Sequence, residues 1–124
     1  MRVLIDTHVL LWWLAGDDLS PQVADAISDA ANDVFVSAAT IWELSIKQTL
    51  GKVDMPDDLV DQLRRDSFTV LPIDERHAMV AGRLPRHHDD PFDRMLIAQA
   101  LVDTLVLATR DRELRAYDVP VLEA

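Results

Sequence analysis

No cysteine occurs in this chain of 124 residues, so disulfides, thiolate metal sites and a cysteine nucleophile are all excluded. The same absence fits a reducing cytoplasm. The longest clean apolar run, Val9 to Ala15, is far short of the roughly 20 residues a membrane-spanning helix needs. Asp6 and His8 spoil any reading of the N-terminus as a signal peptide, and a soluble, cytoplasmic protein is expected. There is no Gly-rich phosphate loop, no serine elbow and no Cys/His zinc spacing. Positive charge is scarce: 12 Lys and Arg face 22 Asp and Glu, a formal net charge of −10. Taken alone, that balance argues against a general nucleic-acid binder. Its distribution matters more, because the basic residues gather at Arg64-Arg65, Arg83 to Arg86, Arg94 and Arg110 to Arg115. Convergent acids that hold divalent cations would also offset part of the deficit.

What is present reads as one α/β domain spanning residues 1–124. Hydrophobic content is 49%, near the globular average, and a chain of this length buries about two-thirds of its unfolded surface. Val3-Leu4-Ile5 is a short apolar run without alternation, the pattern of a strand buried on both faces in a parallel sheet. Similar runs predict strands near 2–5, 33–36, 68–71, 105–108 and 119–122, with Pro120 demoting the last to an edge. Between them, helices are predicted over 8–15, 20–31, 37–50, 57–66, 74–84 and 93–102, with a short one ending at Tyr117. Ser20-Pro21, Ser37, Asp74 and Asp90-Pro91 supply helix starts, and Gly16 and Gly51 supply stops. Strands alternating with helices give a parallel sheet covered on both sides.

In such sheets the chemistry sits beyond the carboxyl ends of the strands. Asp6 stands there after the first strand and Asp111 after the fourth, although each also suits a helix N-cap. Glu43 interrupts a nearly all-apolar helix. Spacing leaves it either facing inward or in an exposed i, i+4 pair with Lys47. Asp93 follows Asp90 by three residues, as in a capping box, yet it opens a helix apolar enough to be buried, where an unpaired carboxylate is costly. His87-His88 read as a solvated polar loop, His8 as a site-lining residue or a cap, and Trp12-Trp13 as core or subunit interface.

Four stretches occur together and in order: Leu4-Ile5-Asp6-Thr7-His8, Ser37 to Glu43, His88 to Ala100, and Thr109-Arg110-Asp111. Together they resemble a PIN domain, and the chain looks like a VapC-type toxin of a bacterial VapBC toxin–antitoxin pair. The likeness covers essentially the whole length, with no departure at an acidic position. It implies a PIN-like three-layer α/β/α fold around a central, mainly parallel five-stranded sheet. It also implies a Mg²⁺- or Mn²⁺-dependent endoribonuclease whose acidic set falls on Asp6, Glu43, Asp93 and Asp111. Thr109 matches a frequent hydroxyl position, and Arg94, Arg110, Arg112 and Lys47 are candidate phosphate contacts. The implied partners are an RNA substrate, a cognate VapB-type antitoxin and a second copy of the chain.

Two other readings stand beside this one. A haloacid-dehalogenase phosphatase wants a second Asp two residues after Asp6, where His8 stands. A catalytically silent PIN-fold module would keep the fold for dimer and partner contacts only.

Overall fold

The computed structural model describes residues 1–124. Strands β1 (Arg2–Ile5), β2 (Asp33–Ser37), β3 (Phe68–Leu71), β4 (Val106–Thr109) and β5 (Val121–Glu123) form one sheet in the order β3-β2-β1-β4-β5. Every pairing is parallel, so the expected mainly parallel sheet is wholly parallel. Helices α1 (Thr7–Ala15), α2 (Pro21–Ser28), α3 (Ala38–Thr49), α4 (Leu59–Arg65), α5 (Glu75–Arg83) and α6 (Pro91–Asp103) connect the strands, and a 3-10 turn over Arg112–Ala116 precedes β5. No helix is long and apolar enough to cross a membrane.

The buried triplet Val3-Leu4-Ile5 divides the core by the two-residue period of a strand. Val3 and Ile5 join Val9, Leu10, Val23, Leu44, Leu63 and Phe68 on one face of the sheet. Leu4 joins Leu96, Ile97, Leu105, Leu107 and Leu114 on the other. Both faces are therefore dry, the three-layer α/β/α arrangement that continuous apolar strands require.

The predicted element types are all present, with small shifts at the ends. Helix α2 stops at Ser28 rather than near residue 31, because the Asp29 carboxylate takes the Ala31 N–H in a local turn. Helix α6 begins at Pro91, two residues early, where Asp90 caps it. Pro120 lies just outside β5, which is the sheet edge, and its carbonyl accepts from Leu107 N–H.

The order of the strands decides where the site lies. From β1 the chain steps outward to β2 and β3, then returns to the other flank of β1 as β4. The reversal opens a crevice beyond the carboxyl ends of β1 and β4, the usual ligand position in such sheets. Ile5 is registered with Ala108, so Asp6 and Thr109 leave the sheet side by side.

Candidate active site

Asp6 enters this crevice as the N-cap of α1. Its Oδ1 accepts from Val9 N–H at 2.8 Å, its backbone N–H donates to Ala108 O, and its Oδ2 accepts a short hydrogen bond from Thr109 Oγ1. The Thr109 oxygen in turn accepts from Asp111 N–H at 3.0 Å. One hydroxyl thus ties the end of β1 to the end of β4. Asp6 is buried, and burial raises its carboxyl above the ordinary range. The Thr109 and Val9 hydrogen bonds oppose the rise, and neighbouring Asp111 adds to it.

Glu43 comes from α3, which Ser37 starts by accepting from Ala39 N–H. The two alternatives left open by its spacing turn out to be compatible. Lys47 Nζ donates to Glu43 Oε2 at 2.8 Å, one turn along the helix, while the carboxylate itself is buried. Its Oε1 accepts from Thr7 Oγ1 at 2.8 Å, and Thr40 Oγ1 lies 3.2 Å from the same Thr7 oxygen.

Asp93 occupies the third position of α6. Asp90 is the cap: its Oδ1 accepts from Phe92 N–H and Asp93 N–H, which leaves the Asp93 side chain free to point into the crevice. Burial is the largest influence on its carboxyl. With repulsion from Asp90, Asp6 and Glu43, partly offset by His88, the pKa is pushed up to about 7. Asp111 caps the 3-10 turn by accepting from Glu113 N–H. All four expected acids therefore come from separate elements to one end of the sheet.

The basic residues divide. Arg110 is exposed, with its guanidinium carbon 3.9 Å from the Trp12 ring centroid and Nε donating to Ala124 O. It lines a cleft of about 330 Å³ together with Asp6, His8, Trp12 and Asp111. Trp12, expected in the core or an interface, packs half-buried against the core and also forms a wall of this cleft. Trp13 meets Phe68 edge-on against the core. The Arg94 guanidinium behaves differently from a phosphate contact. It donates to the carbonyls of Ala81, Leu84, Pro85 and His88 and lies 3.5 Å from Tyr117 Oη, binding the loop between α5 and α6 to its own chain.

His88 overturns the expectation of a solvated pair. Its neighbour His87 is exposed, but His88 Nε2 lies 3.2 Å from Asp93 Oδ2 and 3.3 Å from Asp111 Oδ2. The one hint in the sequence is its place two residues before a helix cap, where Nδ1 can accept from the Asp90 N–H.

The chemistry of this donor set suits a hard divalent cation. The four side chains offer carboxylate oxygens, the ligands such ions prefer. Of these acids only Glu43 is paired with a lysine or arginine. Burial, with repulsion between neighbouring carboxylates added to it, raises both Asp6 and Asp93, and a bound cation would relieve that repulsion.

Comparisons with known proteins agree with the fold. The family described as PIN domain matches residues 3–120. Ribonuclease VapC22 of Mycobacterium tuberculosis is 27% identical over 121 residues, which cover 95% of this chain and 93% of that protein. The structure of FitAcB from Neisseria gonorrhoeae superimposes with a TM-score of 0.71 at 26% identity, covering 97% of this chain and 96% of the other. VapBC2 from Rickettsia felis, solved bound to a DNA fragment from its promoter, shares the fold at 12% identity. Its TM-score is 0.74, and the match covers 100% of this chain and 99% of that one.

Proposed function

The chain belongs to the PIN domain family, and from that premise we propose that it is a metal-dependent endoribonuclease, the toxin of a bacterial toxin–antitoxin pair. The observation that carries this reading is the convergence of Asp6, Glu43, Asp93 and Asp111 at the switch point of the sheet, with Asp93 raised to about 7 by burial and by the neighbouring acids. These four acids are the proposed holders of Mg²⁺ or Mn²⁺. When bound, the cation supplies an activated water and stabilises charge on the leaving 3′ oxygen.

The protein's own residues prepare the site. Thr109 fixes Asp6 and the backbone of Asp111 with one hydroxyl, and Thr7 fixes one oxygen of Glu43. The N-terminal ends of α1 and α6 favour the negative side chains at their mouths. Arg110, held over Trp12 at the cleft wall, and Lys47 beside Glu43 are the proposed phosphate contacts, and Arg112 is exposed nearby. They give an acidic protein a local point of attraction for RNA. Arg94 is assigned to holding its loop. Hydrolysis needs no side-chain nucleophile: water oxygen bonds to phosphorus as the bond to the 3′ oxygen breaks, and that oxygen leaves with a proton.

Residues 1–124 act in this reading as one domain, in the cytoplasm, opposed by an antitoxin. Ribonuclease VapC22 is named for its activity, and the structures of VapBC2 and FitAcB describe relatives of this fold. A homodimer is part of the proposal. Trp42 and Ile46 on α3 and Leu50 at its C-cap recur every fourth residue and stand 60%, 38% and 62% exposed, an apolar stripe suited to a second copy.

The test is cleavage of single-stranded or looped RNA by purified protein freed of antitoxin. Cutting with Mg²⁺ or Mn²⁺ that stops in EDTA is expected. Undiminished cutting in EDTA, or none with either cation, overturns the assignment. Co-expression with the neighbouring antitoxin reading frame should restore the growth that the protein alone arrests.

A further inference from the structure

His88 lies in the polar loop between α5 and α6, yet its side chain is only 13% exposed and both ring nitrogens are engaged. Nδ1 stands 3.0 Å from the backbone nitrogen of Asp90, a group that can donate a hydrogen and accept none. Nδ1 is therefore the acceptor, and the hydrogen of the neutral ring sits on Nε2. Nε2 faces Asp93 Oδ2 at 3.2 Å, Asp111 Oδ2 at 3.3 Å and Glu113 Oε2 at 3.5 Å. The residue's backbone is held as well: its N–H donates to Tyr117 Oη and its carbonyl accepts from Arg94.

The ligand atoms of His88, Asp111 and Glu113 lie within 4.8 Å of one another, which gives the group the outward form of a three-residue cation site. The tautomer speaks against that reading. A ring nitrogen binds a cation through its lone pair, and Nε2 has none available while it carries the hydrogen. A metal-bound histidine also donates from its other nitrogen, whereas here the other nitrogen accepts.

Resting on the metal site proposed above, we infer that His88 is a positioning residue whose Nε2–H donates to Asp111 Oδ2 and holds that carboxylate beside Asp93 in register for the cation. These acids come from different elements, the first turn of α6 and the exit from β4, and no other side chain is hydrogen-bonded or ion-paired to both. A carboxylate has about four lone-pair positions, so a hydrogen bond to one oxygen of Asp111 leaves the rest, and all of those on Asp93, for the cation.

Two variants separate this role from both alternatives. In His88→Asn the side-chain oxygen replaces Nδ1 and still accepts from Asp90 N–H, which keeps the loop, but nothing reaches the carboxylates. In His88→Gln the amide nitrogen reaches the Nε2 position and donates as the ring does. The binding of Mn²⁺ is measured by calorimetry on each full-length protein, alongside RNA cleavage as a function of Mn²⁺ concentration. His88→Asn should weaken Mn²⁺ binding about 10–100-fold, and His88→Gln should return it to within about threefold of the parent. The Mn²⁺ needed for half-maximal cleavage should rise by the same factor, with the maximal rate recovering at saturation. Unchanged affinity in His88→Asn overturns the positioning role alone. A loss in His88→Gln as large as in His88→Asn shows the ring to be a ligand and also overturns it. A parent protein that binds no Mn²⁺ defeats the metal site itself and this inference with it.

Discussion

Replacing Asp93 with asparagine removes the carboxyl whose surroundings favour its neutral form most. The group sits at about 7 in the folded chain against an ordinary 3.8. At about 1.4 kcal/mol per tenfold change in proton affinity, the full displacement corresponds to about 4 kcal/mol. The side chain is 25% exposed, so solvent screening lowers the usable figure to about 2–3 kcal/mol. The sign follows from linkage. Between pH 3.8 and about 7 the folded protein keeps a proton that the unfolded chain releases. The associated stability is fully present below 3.8 and is lost as pH rises through about 7. Asparagine is neutral throughout and removes that loss. A countervailing cost arises because a charge in the first turn of α6 gains about 0.3–1 kcal/mol from the helix dipole, less than the burial effect. Urea unfolding in EDTA at pH 8 should therefore find Asp93→Asn about 1–2 kcal/mol more stable than the parent, with the advantage shrinking towards pH 5.5. Added Mg²⁺ should stabilise the parent and not the variant, and cleavage should be abolished. A variant less stable at pH 8, or a difference independent of pH, would refute the account of a carboxyl raised by burial among other acids.

Asp90→Asn should cost little stability and keep most activity, because asparagine caps as well as aspartate, whereas Asp90→Ala should cost about 1 kcal/mol in chemical denaturation. Thr109→Val strips a buried Asp6 oxygen and the Asp111 N–H of their shared partner. It should cost about 1–3 kcal/mol and reduce RNA cleavage at least tenfold; intact activity would show that the hydroxyl is not needed. Arg94→Met should lower the melting temperature sharply, since several carbonyls lose their donor, while Arg110→Ala, which loses one hydrogen bond and the stack on Trp12, should lower it only slightly and flatten the salt dependence of RNA binding. The reverse pattern would exchange their assigned roles. Trp42→Glu should convert a sedimenting dimer to monomer if the α3 stripe is the contact; an unchanged mass would place the interface elsewhere.

The parts of this protein legible in the linear chain are those governed by near neighbours. Uninterrupted apolar triplets such as Val3-Leu4-Ile5 announce strands buried on both faces, and capping residues announce helix starts, because these choices depend on backbone geometry within a few residues. Asp6, standing where such a strand ends, could be singled out on the same grounds. Strand order and contact were a different matter. Asp111 shares that strand-end position, but resemblance to a known family, rather than spacing, joins Glu43 and Asp93 to them.

Only the folded arrangement decided what the polar side chains do with one another. Register between β1 and β4 sets Thr109 against Asp6 across an interval of 103 residues, and a hydrogen bond of that reach has no local signature. Helical spacing raised an exposed Glu43–Lys47 pair as one alternative, and the pair forms, yet its acid is buried in the crevice, since the neighbours of α3 and not its own period determine which side is dry. Arg94 and His88 followed no composition rule. A loop of charged residues reads as solvated until the walls around it are known, and here those walls hand Arg94 a row of carbonyls and His88 two carboxylates. Secondary structure is chosen by interactions along the chain, and could be read there. Partnership among long polar side chains is chosen by whichever distant groups the sheet topology leaves within about 3 Å, and only the tertiary structure supplies that.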